Sequence, residues 1–252
     1  MIVVTDLDAT LLDENYSWQA AAPAIAVMRT RGIPLVLNSS KTVAEMQVLA
    51  TELQTNAPIV AENGGVIAIG DELRILGLAR ESILAVAHEL RSSQGYRFAG
   101  FADWSAAEIA DRTGLDKSAA GRANQRLATE PIIWEDTAAR AAAFAESLAA
   151  HGIRQLAGGR FTHLMGQSDK ADGLCEVRKL LGGGPVVALG DSPNDEAMLS
   201  AAEIAVVIPN SHSARIAPDA PRVIYADSPG PAGWNAAILS LLDEYKGDAQ
   251  NG

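Results

Sequence analysis

The chain begins with Met1-Ile2-Val3-Val4-Thr5-Asp6-Leu7-Asp8-Ala9-Thr10, a β-branched run that leads directly into two aspartates. Such a run predicts a buried central strand of a mostly parallel sheet. Asp6 and Asp8 then lie just beyond its carboxyl end, where open α/β sheets bind ligands. Side chains alternate along an extended segment, so the chain must turn there if both carboxylates serve one site. Taken alone, the pair is also typical of a solvated turn, a calcium loop or a metal-dependent glycosyltransferase.

A second acidic cluster follows another apolar run. Val186–Leu189 leads into Gly190-Asp191-Ser192-Pro193-Asn194-Asp195, and Pro193 suits the first turn of a helix. Two strands of one sheet therefore deliver aspartates at the same edge. Helix-capping acids explain either cluster alone, but they explain the two together poorly. Grouped carboxylates suit a hard cation such as Mg²⁺, and they also allow one acid to act as a nucleophile and another as a general acid or base.

Two further segments predict a phosphate site. Asn38-Ser39-Ser40-Lys41-Thr42 follows the second predicted strand, and hydroxyl and amide groups at a helix start can hold phosphate oxygens. Lys170 lies in Asp169-Lys170-Ala171-Asp172-Gly173, where an ammonium group can neutralise a phosphate and a nucleophile together. The simpler alternatives are that Ser39 or Ser40 only caps a helix and that Lys170 is a solvated side chain.

Apolar runs alternate with helical patterns along both ends of the chain, which predicts an α/β fold. Strands are predicted at Ile2–Thr5, Ile33–Asn38, Pro58–Ala61, Val66–Ile69, Leu73–Leu76, Val186–Leu189, Ile204–Ile208 and Arg222–Tyr225. Helices are predicted from Ser17 to Gly32, from Thr42 to Leu53, from Pro193 to Ala201 and after Trp234. Thr42 forms a capping box with Glu45, and Gly70-Asp71-Glu72 predicts a hairpin turn.

The middle of the chain differs from both ends. Between residues 101 and 150, 16 of 50 residues are alanine, which favours helices unless this stretch is only low-complexity drift. Ser105 and Glu108 predict a capped helix start, and isolated strands are predicted at Tyr96–Phe98, Ile132–Trp134 and Phe161–Leu164. We therefore expect a core domain of residues 1–81 and 166–252, with an inserted α+β segment of residues 82–165, here called the cap.

Composition restricts the class of protein. Hydrophobic residues make up 48% of the chain and charged residues 20%, which predicts a folded protein with a sizeable core. A net charge of −11 disfavours nucleic acid as a partner. The chain has one cysteine, Cys175, no basic N-terminal leader and no apolar run of about 20 residues. We therefore expect a cytoplasmic protein without a membrane segment or an internal disulfide.

The set of Asp6-x-Asp8-x-Thr10, Ser39, Lys170 and Gly190-Asp191-x-x-Asn194-Asp195 resembles the four ordered motifs of the haloacid dehalogenase (HAD) superfamily. The resemblance implies a Rossmann-like core domain with a mostly parallel sheet and an inserted α+β cap, as in the sugar-phosphatase branch. Glu62-Asn63-Gly64-Gly65 also fits that branch. Ala9 departs from the pattern, since glycine is usual there. We expect alanine to be tolerated unless the backbone requires a positive φ.

A narrower resemblance, to the mannosyl-3-phosphoglycerate phosphatases of that branch, rests on segments in both parts of the chain. They are Asn38–Thr42, Thr129-Glu130-Pro131-Ile132-x-Trp134, Gly159-Arg160-Phe161-x-His163-Leu164-x-Gly166 and Gly230-Pro231-x-Gly233-Trp234-Asn235. The resemblance implies a small-molecule substrate that joins a sugar to a phosphorylated glycerate. Glucosyl-3-phosphoglycerate and sucrose phosphate are alternative substrates, and an inactive HAD-fold binding module is an alternative function.

The resemblance also implies roles for single residues. Asp6 is the expected nucleophile, which forms an aspartyl-phosphate, and Asp8 is the expected general acid and base. Ser39 and Lys170 are expected to hold phosphoryl oxygens. The expected ligands of a Mg²⁺ cofactor are Asp6, the backbone carbonyl of Asp8 and Asp191, with Asp195 either a further ligand or close behind these. The expected substrate-binding residues are Ser40, Lys41, Asn63, Glu130, Arg160, His163 and Asn194.

Overall fold

The computed structural model describes residues 1–158 and 160–250, which form three β-sheets with helices packed around them. The strands are β1 (Ile2–Thr5), β2 (Leu35–Leu37), β3 (Ile59–Ala61), β4 (Val66–Ile69), β5 (Glu72–Ile75), β6 (Phe98–Gly100), β7 (Thr129–Trp134), β8 (Arg154–Ala157), β9 (Thr162–Met165), β10 (Val186–Gly190), β11 (Ile204–Val207) and β12 (Arg222–Tyr225). The helices are α1 (Ala22–Thr30), α2 (Val43–Leu53), α3 (Arg80–Gln94), α4 (Ala106–Thr113), α5 (Lys117–Ala123), α6 (Ala138–Ala149), α7 (Lys170–Leu180), α8 (Glu196–Ser200) and α9 (Gly230–Gln250). None of these helices combines the length and the apolar character that crossing a membrane requires.

Five parallel strands form the central sheet, in the order β12-β11-β10-β1-β2. The predicted α/β fold with a parallel sheet is confirmed. β1 is fully buried because its side chains meet apolar residues on both faces of the sheet. Thr5 pairs with Leu189 of β10, and the Asp6 amide donates to the Leu189 carbonyl at 2.9 Å. This register places the ends of two strands, and the acids that follow them, side by side.

A second, antiparallel sheet contains β3, β4 and β5. The predicted hairpin is confirmed, since β4 pairs with β5. A parallel bridge between Asn38 and Val60 connects this sheet to the end of β2, and the Ser39 amide donates to the Val60 carbonyl at 3.0 Å. The loops that follow β2 and β3 therefore lie against each other.

The cap contains a four-stranded antiparallel sheet in the order β6-β7-β9-β8. The prediction of isolated strands is wrong, because β7 pairs with both β6 and β9, and β8 pairs with β9. Arg154-Gln155-Leu156-Ala157 contains no β-branched residue, so its local pattern does not indicate the strand β8. The alanine-rich stretch forms the predicted helices, and the capping box at Ser105 is present. The boundaries at residues 81 and 165 stay predictions.

Three helix limits differ from their predictions. A 3₁₀ turn at Gln19–Ala21 precedes α1, so Ser17 does not cap this helix. Another 3₁₀ turn, Pro193–Asp195, precedes α8. α9 begins at Gly230 rather than after Trp234, because a proline in the first turn needs no intrahelical partner. Trp234 is instead buried inside the helix, where its indole N–H donates to Thr5 Oγ1 at 3.0 Å.

Three non-glycine residues in the turns directly after Asp8 and after β3 adopt a left-handed backbone. Their φ angles are 60° at Ala9, 54° at Glu62 and 55° at Asn63. This conformation costs an L-residue about 1–2 kcal/mol. The backbone at Ala9 thus has the positive φ for which glycine is suited, and its methyl group strains the turn after Asp8.

Ala9→Gly should stabilise the folded state by up to about 1.5 kcal/mol. Relief of the left-handed strain, about 1–2 kcal/mol, exceeds the cost of a more flexible unfolded chain, about 0.4–1 kcal/mol. The control is Ala85→Gly, an exposed position within α3 where glycine costs about 0.5–1 kcal/mol. Chemical denaturation measures both variants, and equal destabilisation by the two would contradict strain at Ala9.

Candidate active site

The two acidic clusters meet at the carboxyl edge of the central sheet. Carboxylate oxygens of Asp6, Asp191 and Asp195 lie within 4.8 Å of one another, and all three residues are buried. Gly190 permits this approach, because a Cβ at that position would lie 2.5 Å from the Cβ of Asp195. The Asp195 carboxylate accepts hydrogen bonds from the amides of Asp191 and Ser192, both at 3.1 Å. These bonds close the turn and fix the direction of the Asp195 side chain.

Lys170 lies within this cluster. It is 1% exposed, and its Nζ donates to Asp6 Oδ1 and Asp195 Oδ1, both at 2.6 Å. The alternative of a solvated lysine is therefore wrong. Lys170 is the first residue of α7, and Gly64 lets the loop after β3 approach this helix start. A Cβ at Gly64 would lie 1.7 Å from the Asp169 carbonyl oxygen, so a larger residue there would displace Lys170.

The charges of the cluster are unbalanced. Burial raises the pKa of Asp6 well above its usual value, and Asp195 and Asp191 raise it further while Lys170 opposes them. Burial also raises the pKa of Asp191. At Lys170 burial lowers the pKa, but Asp195 and Asp6 outweigh burial and leave the pKa above its ordinary value. One charged ammonium group therefore faces three acids, and a further cation would relieve their repulsion.

The cluster fits a divalent metal ion on chemical grounds. Its donors are all carboxylate oxygens, the ligands that hard cations prefer. Thr10 Oγ1 and Asn210 Nδ2 donate to the two oxygens of Asp191 at 2.7 and 2.6 Å, and such bonds orient a metal ligand. The side chain of Asp8 is not part of this group. The predicted participation of the Asp8 carbonyl stays a prediction.

Asp8 has a different environment from Asp6. Its side chain is 50% exposed, and its Oδ2 accepts a hydrogen bond from Lys41 Nζ at 2.8 Å. Burial lowers the pKa of Lys41, but Asp8, with smaller contributions from Glu45 and Tyr16, outweighs burial and leaves the pKa above its ordinary value. The Lys41 ammonium also lies 5.2 Å from the centre of the Tyr16 ring. The turn at Ala9 thus separates one carboxylate inside the protein, beside Lys170, from another at the surface, beside Lys41.

The loops after β2 and β3 hold several predicted residues together. Ser39 is buried, and its carbonyl accepts a hydrogen bond from the Asn63 amide at 2.9 Å. Asn63 Oδ1 lies 3.5 Å from Asn194 Nδ2, which connects these loops to the second acidic turn. The alternative that Ser39 or Ser40 caps α2 is wrong, because Thr42 is the capping residue.

A cleft of about 710 Å³ opens beside these residues. Asp6, Asp8 and Ser40 line one side, and Leu156–Gly158, the end of β8 and the residue after it, bring the cap to the same cleft. Sequence reasoning missed this cap segment, because its position depends on the pairing of β8 with β9. It also missed Asn210, which lines the cleft and binds Asp191. Its place after β11, a strand of the same sheet, is a signal that could have indicated it.

Glu130 and Arg160 have protein partners within or beside the cap. Glu130 is buried, with Oε2 at 2.6 Å from Arg80 Nη2 and Oε1 bonded to a backbone amide at 2.8 Å. Arg160 donates to the carbonyls of Arg112 and Thr113 at 3.1 and 2.7 Å, at the end of α4. Gly159, which belongs to the same sequence segment as Arg160, lies outside the described residues. The substrate-binding roles of Glu130 and Arg160 stay predictions.

His163 lies on β9, where it pairs with Leu156 of the cap segment that lines the cleft. A Cβ on Gly158 would lie 3.3 Å from His163 Nε2. Burial, with a smaller contribution from the Arg126 charge, lowers the pKa of His163 to about 3. Its ring is therefore neutral at neutral pH. Its Nδ1 is buried and has no hydrogen-bond partner within the described part of the chain.

Comparison with known proteins identifies the family. The sequence profile of the haloacid dehalogenase-like hydrolases matches residues 3–105. A glucosyl-3-phosphoglycerate/mannosyl-3-phosphoglycerate phosphatase from Methanococcoides burtonii is 34% identical, over 96% of this chain and 97% of that protein. The chain belongs to the haloacid dehalogenase-like hydrolases. It is an enzyme of the phosphatase class, whose substrates are small phosphorylated molecules.

Solved structures of HAD hydrolases share the fold of this phosphatase. A haloacid dehalogenase-like hydrolase from Bacteroides thetaiotaomicron has a TM-score of 0.72 at 19% identity, over 95% of this chain and 98% of that chain. A HAD subclass IIB sugar phosphatase has a TM-score of 0.61 at 16% identity, over 82% of this chain and 86% of that chain. These structures show the fold, and the family profile with the 34% identical relative confirms the predicted membership of the HAD superfamily.

Mg²⁺ should raise the Tm of this phosphatase, because an ion that binds only the folded state stabilises it. Asp191→Asn removes a charged ligand and should weaken Mg²⁺ binding by at least the roughly 10- to 100-fold that is typical when a ligand merely loses its hydrogen-bond partner. The control is Asp71→Asn, which changes an exposed acid in the β4–β5 turn. Calorimetric titration and Tm measurements with and without Mg²⁺ test this. The same Mg²⁺ response in all three proteins would remove Asp191 from the metal site.

Proposed function

We propose that this phosphatase hydrolyses mannosyl-3-phosphoglycerate to mannosylglycerate and phosphate, with Mg²⁺ as its cofactor. The observation that carries the substrate is the Methanococcoides burtonii relative, whose name includes mannosyl and glucosyl forms. Glucosyl-3-phosphoglycerate is therefore the second candidate substrate. We place the enzyme in the cytoplasm, in the synthesis of a compatible solute. Its one cysteine, Cys175, is free and exposed, which agrees with a reducing compartment.

Asp6 is the nucleophile in this proposal. Lys170 holds Oδ1 at 2.6 Å, which orients the carboxylate and reduces its repulsion of a phosphate dianion. The other oxygen attacks phosphorus in line, so that a bond from Asp6 to phosphorus forms as the bond from phosphorus to the glycerate oxygen breaks. Ser39 and Lys170 hold the phosphoryl oxygens. Asp6, Asp191 and Asp195 would hold the Mg²⁺ ion, which would supply positive charge between the acids and the phosphate.

Asp8 is the general acid and base. It protonates the departing glycerate oxygen, and it then takes a proton from the water that attacks the aspartyl-phosphate. This second step releases phosphate and restores the Asp6 carboxylate. Asp8 is half exposed at the cleft, so it can exchange protons with solvent. Lys41, 2.8 Å from Asp8, adds a positive charge that suits the carboxylate of the glycerate.

The sugar and glycerate groups occupy the cleft between the core domain and the cap in this proposal. Ser40 and Asn194 of the core domain and Leu156–Gly158 of the cap line this cleft. Asn63 Oδ1 accepts a hydrogen bond from Asn194 Nδ2 at 3.5 Å. A neutral His163 suits a sugar hydroxyl better than a carboxylate. Direct binding by Glu130 or Arg160 would require either residue to leave its present partners.

A phosphate-release panel tests the substrate. Mannosyl-3-phosphoglycerate and its glucosyl counterpart should be hydrolysed with higher kcat/KM than sucrose phosphate or simple hexose phosphates. Asp6→Asn should abolish turnover of all of them and keep the fold, whereas the surface variant Asp71→Asn should keep full activity. A wild-type preference for hexose phosphates would overturn the substrate. If Asp6→Asn kept more than a few per cent of the wild-type activity, the assignment of Asp6 as the nucleophile would be wrong.

Arg160→Ala tests the predicted carboxylate contact. A guanidinium that grips the glycerate carboxylate should make kcat/KM fall by about 10- to 100-fold on truncation, equivalent to about 1.5–3 kcal/mol. The loss should be much smaller with an aryl phosphate that has no carboxylate. Arg97→Ala, an exposed cap arginine, is the control. If kcat/KM fell equally for both substrate classes and the Tm fell as well, the role of Arg160 would be limited to its hydrogen bonds at the end of α4.

A further inference from the structure

A fully buried carboxylate outside the acidic cluster joins the core domain to the cap. Glu62, in the loop after β3, is 0% exposed and has a φ of 54°. Its Oε1 accepts a hydrogen bond from the Leu127 amide at 2.7 Å. Its Oε2 accepts from the Ala128 amide at 3.1 Å and from Thr129 Oγ1 at 2.6 Å. The carboxylate thus binds three consecutive residues of the cap.

The Thr129 hydroxyl extends this contact to a second loop of the core domain. It donates to Glu62 and accepts a hydrogen bond from Arg126 Nη1 at 2.8 Å. The same Arg126 nitrogen donates to the Ser40 carbonyl at 3.3 Å. Ser40 lines the cleft, and Asn63 directly follows Glu62. The cap segment 126–129 is therefore bonded to both loops that hold predicted substrate-binding residues.

Stability gained from packing does not explain why a carboxylate, that of Glu62, and a guanidinium, that of Arg126, are buried at this contact. A buried carboxylate and a buried guanidinium each lose hydration, and apolar residues of similar volume often stabilise a protein as well or better. What the polar groups add is direction, because a hydrogen bond is strong only over a narrow range of distances and angles. Glu62 also keeps a backbone conformation that disfavours a side chain, about 1–2 kcal/mol less stable than the right-handed one. The arrangement therefore specifies position more than it adds stability.

We propose that Glu62, Thr129 and Arg126 form a latch that fixes the cap over Asp6, and that Glu62 is a positioning residue that favours substrates whose leaving group reaches the cap. The part of this inference that concerns substrates rests on the proposed function. Loss of the latch leaves Asp6, Lys170 and the metal site intact. A small aryl phosphate, which needs only those groups, keeps its turnover, whereas a sugar-glycerate phosphate loses contacts that depend on the cap position.

Paired variants of Thr129 test the latch. Thr129→Val keeps the shape of the side chain and removes the hydroxyl, and Thr129→Ser keeps the hydroxyl. We expect the ratio of kcat/KM for the best sugar phosphate of the panel to that for p-nitrophenyl phosphate to fall about tenfold in Thr129→Val, as for the loss of one or two hydrogen bonds. Thr129→Ser should restore the wild-type ratio.

Two further variants complete the comparison. Glu62→Gln replaces one acceptor oxygen with an NH₂ group, which then faces an N–H or O–H donor of the cap. It should therefore lower the ratio of the two kcat/KM values at least as much as Thr129→Val does. Thr137→Val removes the side-chain hydrogen bond at the N-terminus of α6, where the Thr137 hydroxyl accepts from the Arg140 amide at 3.3 Å. This variant weakens a cap helix away from the latch and should leave the ratio unchanged. If Glu62→Gln fails to fold, the Thr129 pair decides.

Hydrogen exchange separates the latch from the proposed substrate. Without substrate, the Leu127 and Ala128 amides should exchange at least tenfold faster in Glu62→Gln and Thr129→Val than in the wild type or Thr129→Ser. Faster exchange in a protein that hydrolyses no sugar phosphate would support the latch and overturn the proposed function. Unchanged exchange at these two amides would overturn the latch. An equal fold-loss for sugar and aryl phosphates would overturn the positioning role of Glu62.

Discussion

The site depends on the two charged hydrogen bonds that the Lys170 ammonium group donates to Asp6 and Asp195. Parallel strands end at one buried edge, so the aspartates that follow them are forced together with little water to screen them. Lys170 binds Asp6 and Asp195, which lie 164 and 25 positions away in the sequence. Its own burial is tolerable only because these carboxylates surround it. The pair of contacts thereby ties the start of α7 to the ends of β1 and β10.

Close backbone approach makes this cluster possible. At Gly64 and Gly190 a side chain would collide with Asp169 and Asp195 respectively, so each turn comes nearer to its neighbour than any other residue allows. At Ala9 the chain takes a left-handed turn that separates the Asp6 side chain from that of Asp8. Strain of this kind is concentrated at functional sites because the surrounding structure holds it in place. Two chemically similar acids consequently occupy different environments.

The buried acids of the protein differ in how well they are neutralised. Glu62 receives three hydrogen bonds from the cap and so stabilises one arrangement of the two parts. Asp6 and Asp191 are surrounded by acids that one lysine does not balance, and their pKa values are raised. A fully bonded carboxylate holds a structure together, whereas an under-neutralised group favours the approach of a cation. The contrast distinguishes the group proposed to position the cap from the groups proposed to act on the phosphate.

The sequence by itself determined the parallel sheet, the capping boxes and the meeting of Asp6 with Asp191. These features follow from local periodicity, from cap chemistry and from the rule that parallel strands end at one edge. The pairing of the cap strands, the existence of β8 and the place of Leu156–Gly158 beside the cleft were decided only by the tertiary structure. Strand pairing joins segments far apart in the chain, and no local pattern specifies it. The partners of Arg160 were decided in the same way, because a long charged side chain can reach several groups and only the packing around it selects among them.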